Sequence, residues 1–418
     1  MFKSLRPGLL AAMLACAGAL VLSACSSTDE TPQTKSLQSI KHVFVLTLEN
    51  KNYADTFGDK PVIPYLATTL ASQGALLRQY YGTTHVSLGN YVAMLSGQSI
   101  TADTQNDCQV YKDFVLTGTS DHGQAIGSGC VYPASVKTLA DQLKDAKLTW
   151  KGYMEDMGND PTRESATCGH VALNSQDVTQ GPIGPSDAVP LGDSYVARHN
   201  PFVYFHSIID SPDCDANVVN LSKLENDLKS ASTTANFNFI TPSACSDAHD
   251  DTCADGKTKG VDAANAFLQK WVPIITSSEA FKKDGLLIIN FDEGGTSSAA
   301  LDVATGTLTT TQAGETCCNQ QTGPNVTKYP LSQSFQLPAE YQAVYHAKVL
   351  NMVVTSYGGD RVGAVLISPF IKAGTVSDVP YNHYSMLRSL EDILVGGKYL
   401  GYAGQEGLVS FGKDIFNF

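Results

Sequence analysis

The apolar run His42-Val43-Phe44-Val45-Leu46-Thr47-Leu48 closes on Glu49-Asn50, and a second run, Leu286-Leu287-Ile288-Ile289-Asn290-Phe291, closes on Asp292-Glu293. Short runs rich in branched apolar residues fit strands buried on both faces, the condition of a parallel sheet. A pair of oxygen-bearing side chains where each run ends puts candidate ligands at the carboxyl edge of that sheet, where open α/β folds keep their sites. Either pair alone could be a solvated strand end; the repetition in one chain argues for a shared place.

The rest of the chain follows the same scheme. Val136, Leu139, Ala140 and Leu143 have helical spacing and precede the strand candidate Leu148 to Met154. Phe237 to Ile240 and Val362 to Ile367 read as further strands, each followed by Pro, and Tyr384 to Val395 as an amphipathic helix with Met386, Leu387, Leu390, Ile393 and Leu394 on one stripe. Strands alternating with helices give the expected fold class, α/β with a mostly parallel central sheet flanked by helices, in one domain over residues 40 to 418. Residues 100 to 132 and 296 to 336 fit this pattern poorly and are expected to be loop insertions near the active edge, the second a lid stapled by Cys317 or Cys318.

Residues 1 to 24 carry Lys3 and Arg6, then the apolar stretch Leu9 to Leu22, and have the layout of a secretory signal. Leu22-Ser23-Ala24-Cys25 resembles a lipoprotein cleavage box, so Cys25 is the expected lipidation site, residues 25 to 39 a flexible tether, and the location a bacterial cell envelope, periplasmic or at the cell surface. No other stretch is long and apolar enough to cross a bilayer. The net charge of -13 becomes -15 when Lys3 and Arg6 leave with the signal, an acidic balance that disfavours nucleic acid as a partner. Beyond Cys16 and Cys25 eight cysteines remain, an even number that argues for disulfides in an oxidising compartment; Cys108 with Cys130 and Cys245 with Cys253 are the favoured local pairs.

Thr83-Thr84-His85-Val86-Ser87-Leu88-Gly89-Asn90-Tyr91 leads into Val92 to Ser96, a short helix that Gly97 would end. Ser87 thus sits at a turn into a helix N-terminus, where free backbone N–H groups and the helix dipole favour a phosphate. Taken alone, a Ser there could equally be an ordinary N-cap.

The ordered set of blocks resembles the bacterial phosphoesterase family of acid phosphatases and phosphatidylcholine-type phospholipases C. The carrying segments are His42 to Gly58, Thr83 to Tyr91, Tyr153 to Met157, Arg198 to Phe202, Ser246 to Asp250, Phe291 to Gly295 and Asn382 to Arg388. The resemblance implies an alkaline-phosphatase-like fold and a metal-assisted serine phosphoesterase. By position it implies Glu49, Asn50, Asp292 and Glu293 as metal ligands, Ser87 as nucleophile and further ligand, and His199, His249 and His383, with His85 as a fourth, as active-site histidines. Val86 and Gly89 stand where the acid phosphatases carry Pro, and Asn52-Tyr53 replaces Ser-Phe, departures that bear on turn geometry and substrate fit. Glu155 and Asp156 read as pocket wall, and His42, His122, His170, His206 and His346 receive no role.

The chemistry stands without the resemblance. Carboxylates and an amide oxygen are hard ligands for a divalent cation such as Mg, Mn or Ca, with Zn allowed where His is near. The expected reaction is hydrolysis of phosphomonoesters through a phosphoserine at Ser87. One histidine would protonate the leaving oxygen and the others, as imidazolium, would hold the phosphate, giving an acidic to near-neutral optimum. Two other readings are a phospholipase C on phosphodiester lipids, with lipid headgroups as partners, and a noncatalytic surface-binding lipoprotein.

Overall fold

The computed structural model describes residues 36–418 apart from 181–187, 190–191, 250–251, 254–257 and 338. The leader, Cys25, the tether up to Lys35 and Asp250 lie outside the described residues. Lys35–Phe418 forms one compact unit.

Twelve strands, labelled in chain order, make its two main sheets. The central one contains β1 (His42–Leu48), β2 (Ala75–Leu77), β3 (Trp150–Met154), β4 (Val218–Asn220), β5 (Phe237–Thr241), β6 (Gly285–Phe291), β11 (Ala364–Ile367) and β12 (Thr375–Ser377), in the order β4-β3-β5-β1-β6-β11-β2-β12. All run in one direction except β11, which lies antiparallel to both neighbours. Every residue of β1 and β6 is buried, which explains why both read as uninterrupted apolar runs rather than alternating ones. Their register pairs Leu48 with Phe291, so Glu49 and Asp292 leave the sheet side by side.

Helix α1 is Ser87–Ser96, α2 Leu139–Asp145, α3 Gly260–Ser277 and α4 His383–Leu394. Helix α1 is buried on every side, and Gly97 ends it in the left-handed region at φ 67°. It starts five residues before the expected Val92, because the Asp107 side chain accepts the Leu88 N–H at 2.9 Å and caps the first turn from a distant loop. Ser87 is therefore the first helical residue, not a turn residue ahead of the helix. Helix α2 opens with a capping box in which Thr138 and Asp141 exchange bonds.

The segment expected as a loop insertion at 296 to 336 instead supplies three strands of a second sheet. They are β7 (Ser298–Asp302), β8 (Thr307–Gln312) and β9 (Leu331–Gln336), joined by β10 (Val349–Val354) in the order β7-β8-β10-β9. Strands β7 to β9, of which β8 is Thr-rich, lie exposed or half-buried with no buried face, so the apolar pattern that marks core strands is missing. Cys317 bonds its neighbour Cys318, so neither staples a lid to another element. Residues 100 to 132 carry a hairpin, Val115–Thr119 with Ala125–Ser128, tied to the body by Cys108–Cys130. The other bonds are Cys168–Cys214 and Cys245–Cys253.

Glu391 lies buried in α4 and accepts the Leu400 N–H at 2.8 Å; burial pushes its carboxyl up to about 8. A raised carboxyl costs nothing below the unfolded-state value, then lowers stability as pH rises, because the unfolded chain ionises first; the loss is complete above about 8. Glu391→Gln should therefore be more stable than wild type at pH 8, by on the order of a few kcal/mol, with little difference at pH 4. Urea unfolding at both pH values checks this; parallel wild-type and variant curves would remove the assignment.

Candidate functional site

The site forms where β1 and β6 end. Asp292 donates its N–H to Leu48 C=O at 2.9 Å, and Glu49 donates its N–H to Asp247 C=O at 2.8 Å. Asn50 adopts a positive φ of 51°, a conformation Asn tolerates, and its N–H reaches Asp292 Oδ1 at 3.1 Å. The Asn50 amide donates to Glu293 Oε1 at 3.1 Å, and Glu293 N–H also bonds Asp292 Oδ1, at 2.6 Å. Backbone pairing thus fixes where all four side chains point.

Helix α1 brings the hydroxyls. Ser87 and Tyr91 lie one turn apart on one helix face, and both address Glu49: Ser87 Oγ donates to Oε2 at 3.0 Å and Tyr91 OH to Oε1 at 2.5 Å. The Tyr91 ring stacks on His199, centroids 5.2 Å apart. His199 Nε2 lies 3.5 Å from Glu49 Oε1 and Nδ1 3.5 Å from Asp247 Oδ2, while its carbonyl takes the Thr241 hydroxyl at the end of β5. The turn before α1 is pinned by Asn90, whose Oδ1 accepts the N–H groups of Thr83 and Thr84 and whose Nδ2 donates to Thr84 C=O. At the helix start Asp107 Oδ2 faces Arg198 Nε at 3.9 Å.

The four histidines differ sharply. His85 sits between two carboxylates, Nδ1 2.8 Å from Glu293 Oε2 and Nε2 2.9 Å from Asp360 Oδ2. Burial pulls its pKa down, but Glu293 and Asp360 outweigh that and hold it up at about 10, so it is an imidazolium. Glu293 is pushed up to about 7 by burial against the pull of His85. His199 is fully enclosed, and burial, then the Arg198 charge, press it well below the usual imidazole value. Burial takes His383 down to about 4; its Nε2 donates to Asp292 C=O at 2.5 Å and its Nδ1 faces the Tyr80 hydroxyl at 3.0 Å. Both ring nitrogens are committed and the residue is fully buried, so His383 props the Asp292 backbone and is not open to hold a phosphate, contrary to its expected task. His249 alone of the four is partly exposed, its N–H held by Asp247 Oδ1 at 2.8 Å and its charge felt by Asp292 and Asp107.

The candidate metal and catalytic residues therefore converge, with two changed assignments. Glu293 has one oxygen on the Asn50 amide and the other facing His85, so it orients Asn50 rather than offering a free ligand atom. His383 acts from behind Asp292. Tyr91, Asn90, Asp107, Asp247 and Asp360 were not foreseen: Asp247 stands two residues from His249 inside a quoted block, but Asp107 and Asp360 reach the site only through the tertiary fold.

Among the described residues no three His, Cys, Asp or Glu side chains are grouped as a ready-made metal centre. The donors nonetheless fit a hard divalent cation. Asn50 Oδ1 and Asp292 Oδ2 are buried oxygens with no hydrogen-bond partner, and Glu49 and Asp292 bring two carboxyls together out of water. Burial, then the charges of Asp292 and Asp247, drive the Glu49 pKa well up. Such a pair must hold a proton or a cation between them.

The model of the phosphoesterase family matches residues 62–394. The chain belongs to the phosphoesterase family. Among its relatives, a phosphate-repressible acid phosphatase of Penicillium chrysogenum is 26% identical over 68% of this chain and 60% of its own length. An acid phosphatase of Aspergillus fumigatus is 27% identical over 61% of this chain and 45% of its own, so the chain spans about half the length of these fungal relatives. A phosphatidylinositol-3-phosphatase of Mycobacterium tuberculosis is 24% identical over 68% of this chain and 76% of its own. Similar solved structures include a Vibrio parahaemolyticus protein of the alkaline phosphatase superfamily, 10% identical with a TM-score of 0.43 over 85% of this chain and 66% of the other. Human ectonucleotide pyrophosphatase/phosphodiesterase 5 is likewise 10% identical, TM-score 0.43, over 90% of this chain and 100% of the other.

Tyr91→Phe removes one of the two hydroxyls on Glu49 and leaves the ring stacked on His199. A drop in kcat of about tenfold or more with KM little changed is expected, since a buried acceptor left without its donor costs about 1–3 kcal/mol. Steady-state kinetics on a chromogenic phosphate ester read this directly; an unaltered kcat would mean that Glu49 does not need Tyr91.

Proposed function

We propose that this chain is a metal-dependent phosphomonoesterase of the acid phosphatase type, acting through a phosphoserine at Ser87. The observation that carries the reading is the Ser87 hydroxyl hydrogen-bonded to a buried Glu49 beside the Asp292 and Asn50 oxygens, at the first turn of a helix. The family match and the acid phosphatase relatives support the same class of reaction.

In this mechanism Glu49, Asn50, Asp292 and Ser87 would hold the divalent cation, of identity Mg, Mn, Ca or Zn, with Glu293 orienting Asn50. When bound, the cation supplies charge neutralisation for phosphoryl oxygens and favours the ionised serine oxygen. The remaining steps belong to the chain. Glu49 Oε2 fixes the direction of the Ser87 hydrogen, while Tyr91 holds the other oxygen of the same carboxylate. The start of α1 offers the phosphate a helix dipole. His85 keeps a buried positive charge close to Glu293 and Asp360. His249, with its partial solvent access, is the residue to protonate the leaving oxygen, and His199, kept neutral by burial, holds the Glu49 and Asp247 carboxylates apart.

The same proposal covers location. Residues 40–418 act as the phosphoesterase domain, exported and held at the cell envelope by lipid on Cys25, with small phosphate esters as substrates. No helix among the described residues is long and apolar enough to cross a membrane.

The test is hydrolysis of para-nitrophenyl phosphate against para-nitrophenyl phosphorylcholine, with and without chelator, alongside Ser87→Ala. Turnover of the monoester, abolished by chelator and lowered at least about a thousandfold by Ser87→Ala, is the expected result. Turnover of the choline diester alone would make the protein a phospholipase C-like diesterase, and activity on neither with any of the four cations would favour a binding protein. Because leaving-group protonation needs an imidazolium, the rate should peak in acid to near-neutral solution; a rate still climbing at pH 9 would exclude His249 as the acid.

A further inference from the structure

Ala248 stands between Asp247 and His249 with a φ of 83°, in the left-handed region that an L side chain disfavours. Its methyl is buried in the main core. A non-glycine residue keeps such a conformation only where its surroundings impose it. What imposes it here comes from the exit of β1, the neighbour of β5 in the sheet. Lys51 Nζ donates to Ala248 C=O at 2.5 Å, and the same ammonium reaches Asn50 C=O at 3.3 Å. Asn50 is itself left-handed, at φ 51°. One ammonium thus lies on the carbonyls of two left-handed residues, one in the candidate ligand set and the other next to the candidate acid.

The segment around Ala248 is held at each step. Glu49 N–H donates to Asp247 C=O at 2.8 Å, so the β1 exit takes two consecutive carbonyls, those of Asp247 and Ala248. Asp247 Oδ1 accepts the His249 N–H at 2.8 Å, and the Cys245–Cys253 bond closes the loop that carries all three residues. Of these ties the one from Lys51 has a charged donor, which bonds a carbonyl more strongly than a neutral N–H does. We propose that Lys51 is a positioning residue for the reaction: its ammonium holds the Ala248 peptide in the left-handed conformation that presents His249 to the leaving oxygen. This deepens the phosphomonoesterase reading with His249 as acid and rests on it. Lys51 acts through His249 and not on the substrate, and because its shorter contact is to Ala248, loss of the ammonium falls first on the acid and only second on Asn50. A glycine at position 248 would not need the clamp, since glycine takes a positive φ readily.

The experiment compares wild type, Lys51→Ala, His249→Asn and the double variant Lys51→Ala/Ala248→Gly on two esters. Glycerol phosphate has an alkoxide leaving group that needs a proton; para-nitrophenyl phosphate has a phenolate that does not. Hydrogen exchange at the His249 amide gives a readout independent of turnover. Lys51→Ala should lower kcat on glycerol phosphate by about tenfold or more, with KM little changed and a much smaller loss on para-nitrophenyl phosphate, since misplacing a general acid forfeits part of a contribution of about 10²–10⁴-fold. The His249 amide should exchange faster in Lys51→Ala, and adding Ala248→Gly should restore most of the rate and of the protection. Equal losses on the two esters, a raised KM at unchanged kcat, which would mark Lys51 as a substrate-binding cation, or no rescue by glycine would overturn the assignment. A wild type inactive on both esters, or equal losses in His249→Asn, would instead sink the reading of His249 as acid. The exchange would then still decide the clamp: faster exchange recovered by Ala248→Gly upholds it, and unchanged exchange overturns it.

Discussion

The parallel pairing of β1 with β6 is the constraint on which the site depends. With Leu48 opposite Phe291, Glu49 and Asp292 must leave the sheet as neighbours, and the bond from Asp292 N–H to Leu48 C=O locks that step. A slip of one residue would turn every side chain of a strand to the opposite face, so the apolar runs that bury the sheet also set the alignment of the carboxyls at its edge. Helix α1 then has one productive position, with Ser87 and Tyr91 both on Glu49. Core packing and chemistry are here the same problem: whatever moves the buried strands moves the carboxylates.

Charge is managed by position more than by number. The chain is acidic overall, yet the site gathers Glu49, Asp292, Asp247 and Glu293 as buried carboxyls, with the half-buried Asp107 at its edge. Part of that charge is met from within: His85 lies between Glu293 and Asp360, and Arg198 faces Asp107. The Glu49–Asp292 pair is held by hydroxyl and backbone donors, and two buried carboxyls brought together in this way are the physical basis for giving it a divalent cation. His383 illustrates a different economy: a histidine whose ring is spent on a backbone carbonyl and a tyrosine hydroxyl serves the site as a strut.

Much of this was legible in the chain because the decisive elements are local. The two runs, their terminal pairs, the glycine stop at Gly97 and the stripe of α4 announce themselves through burial and periodicity. The short strands Ala75–Leu77, Val218–Asn220 and Thr375–Ser377 do not, since three residues carry no readable period. The true start of α1 was hidden because its cap, Asp107, comes from a loop nineteen residues away in sequence. Asp360 was hidden for the same reason, since only the fold places it against His85. The second sheet escaped because its strands β7 to β9 lack a buried face.

Rapid acid quench of the enzyme during turnover of a phosphomonoester, followed by mass-spectrometric peptide mapping, bears most directly on the central claim that Glu49 and α1 arm Ser87 as a nucleophile. The expected result is a phosphoryl group on Ser87 and on no other residue, absent from Ser87→Ala and from chelated enzyme. Sustained turnover with an unmodified Ser87, or a phosphoryl group on a histidine, would contradict it.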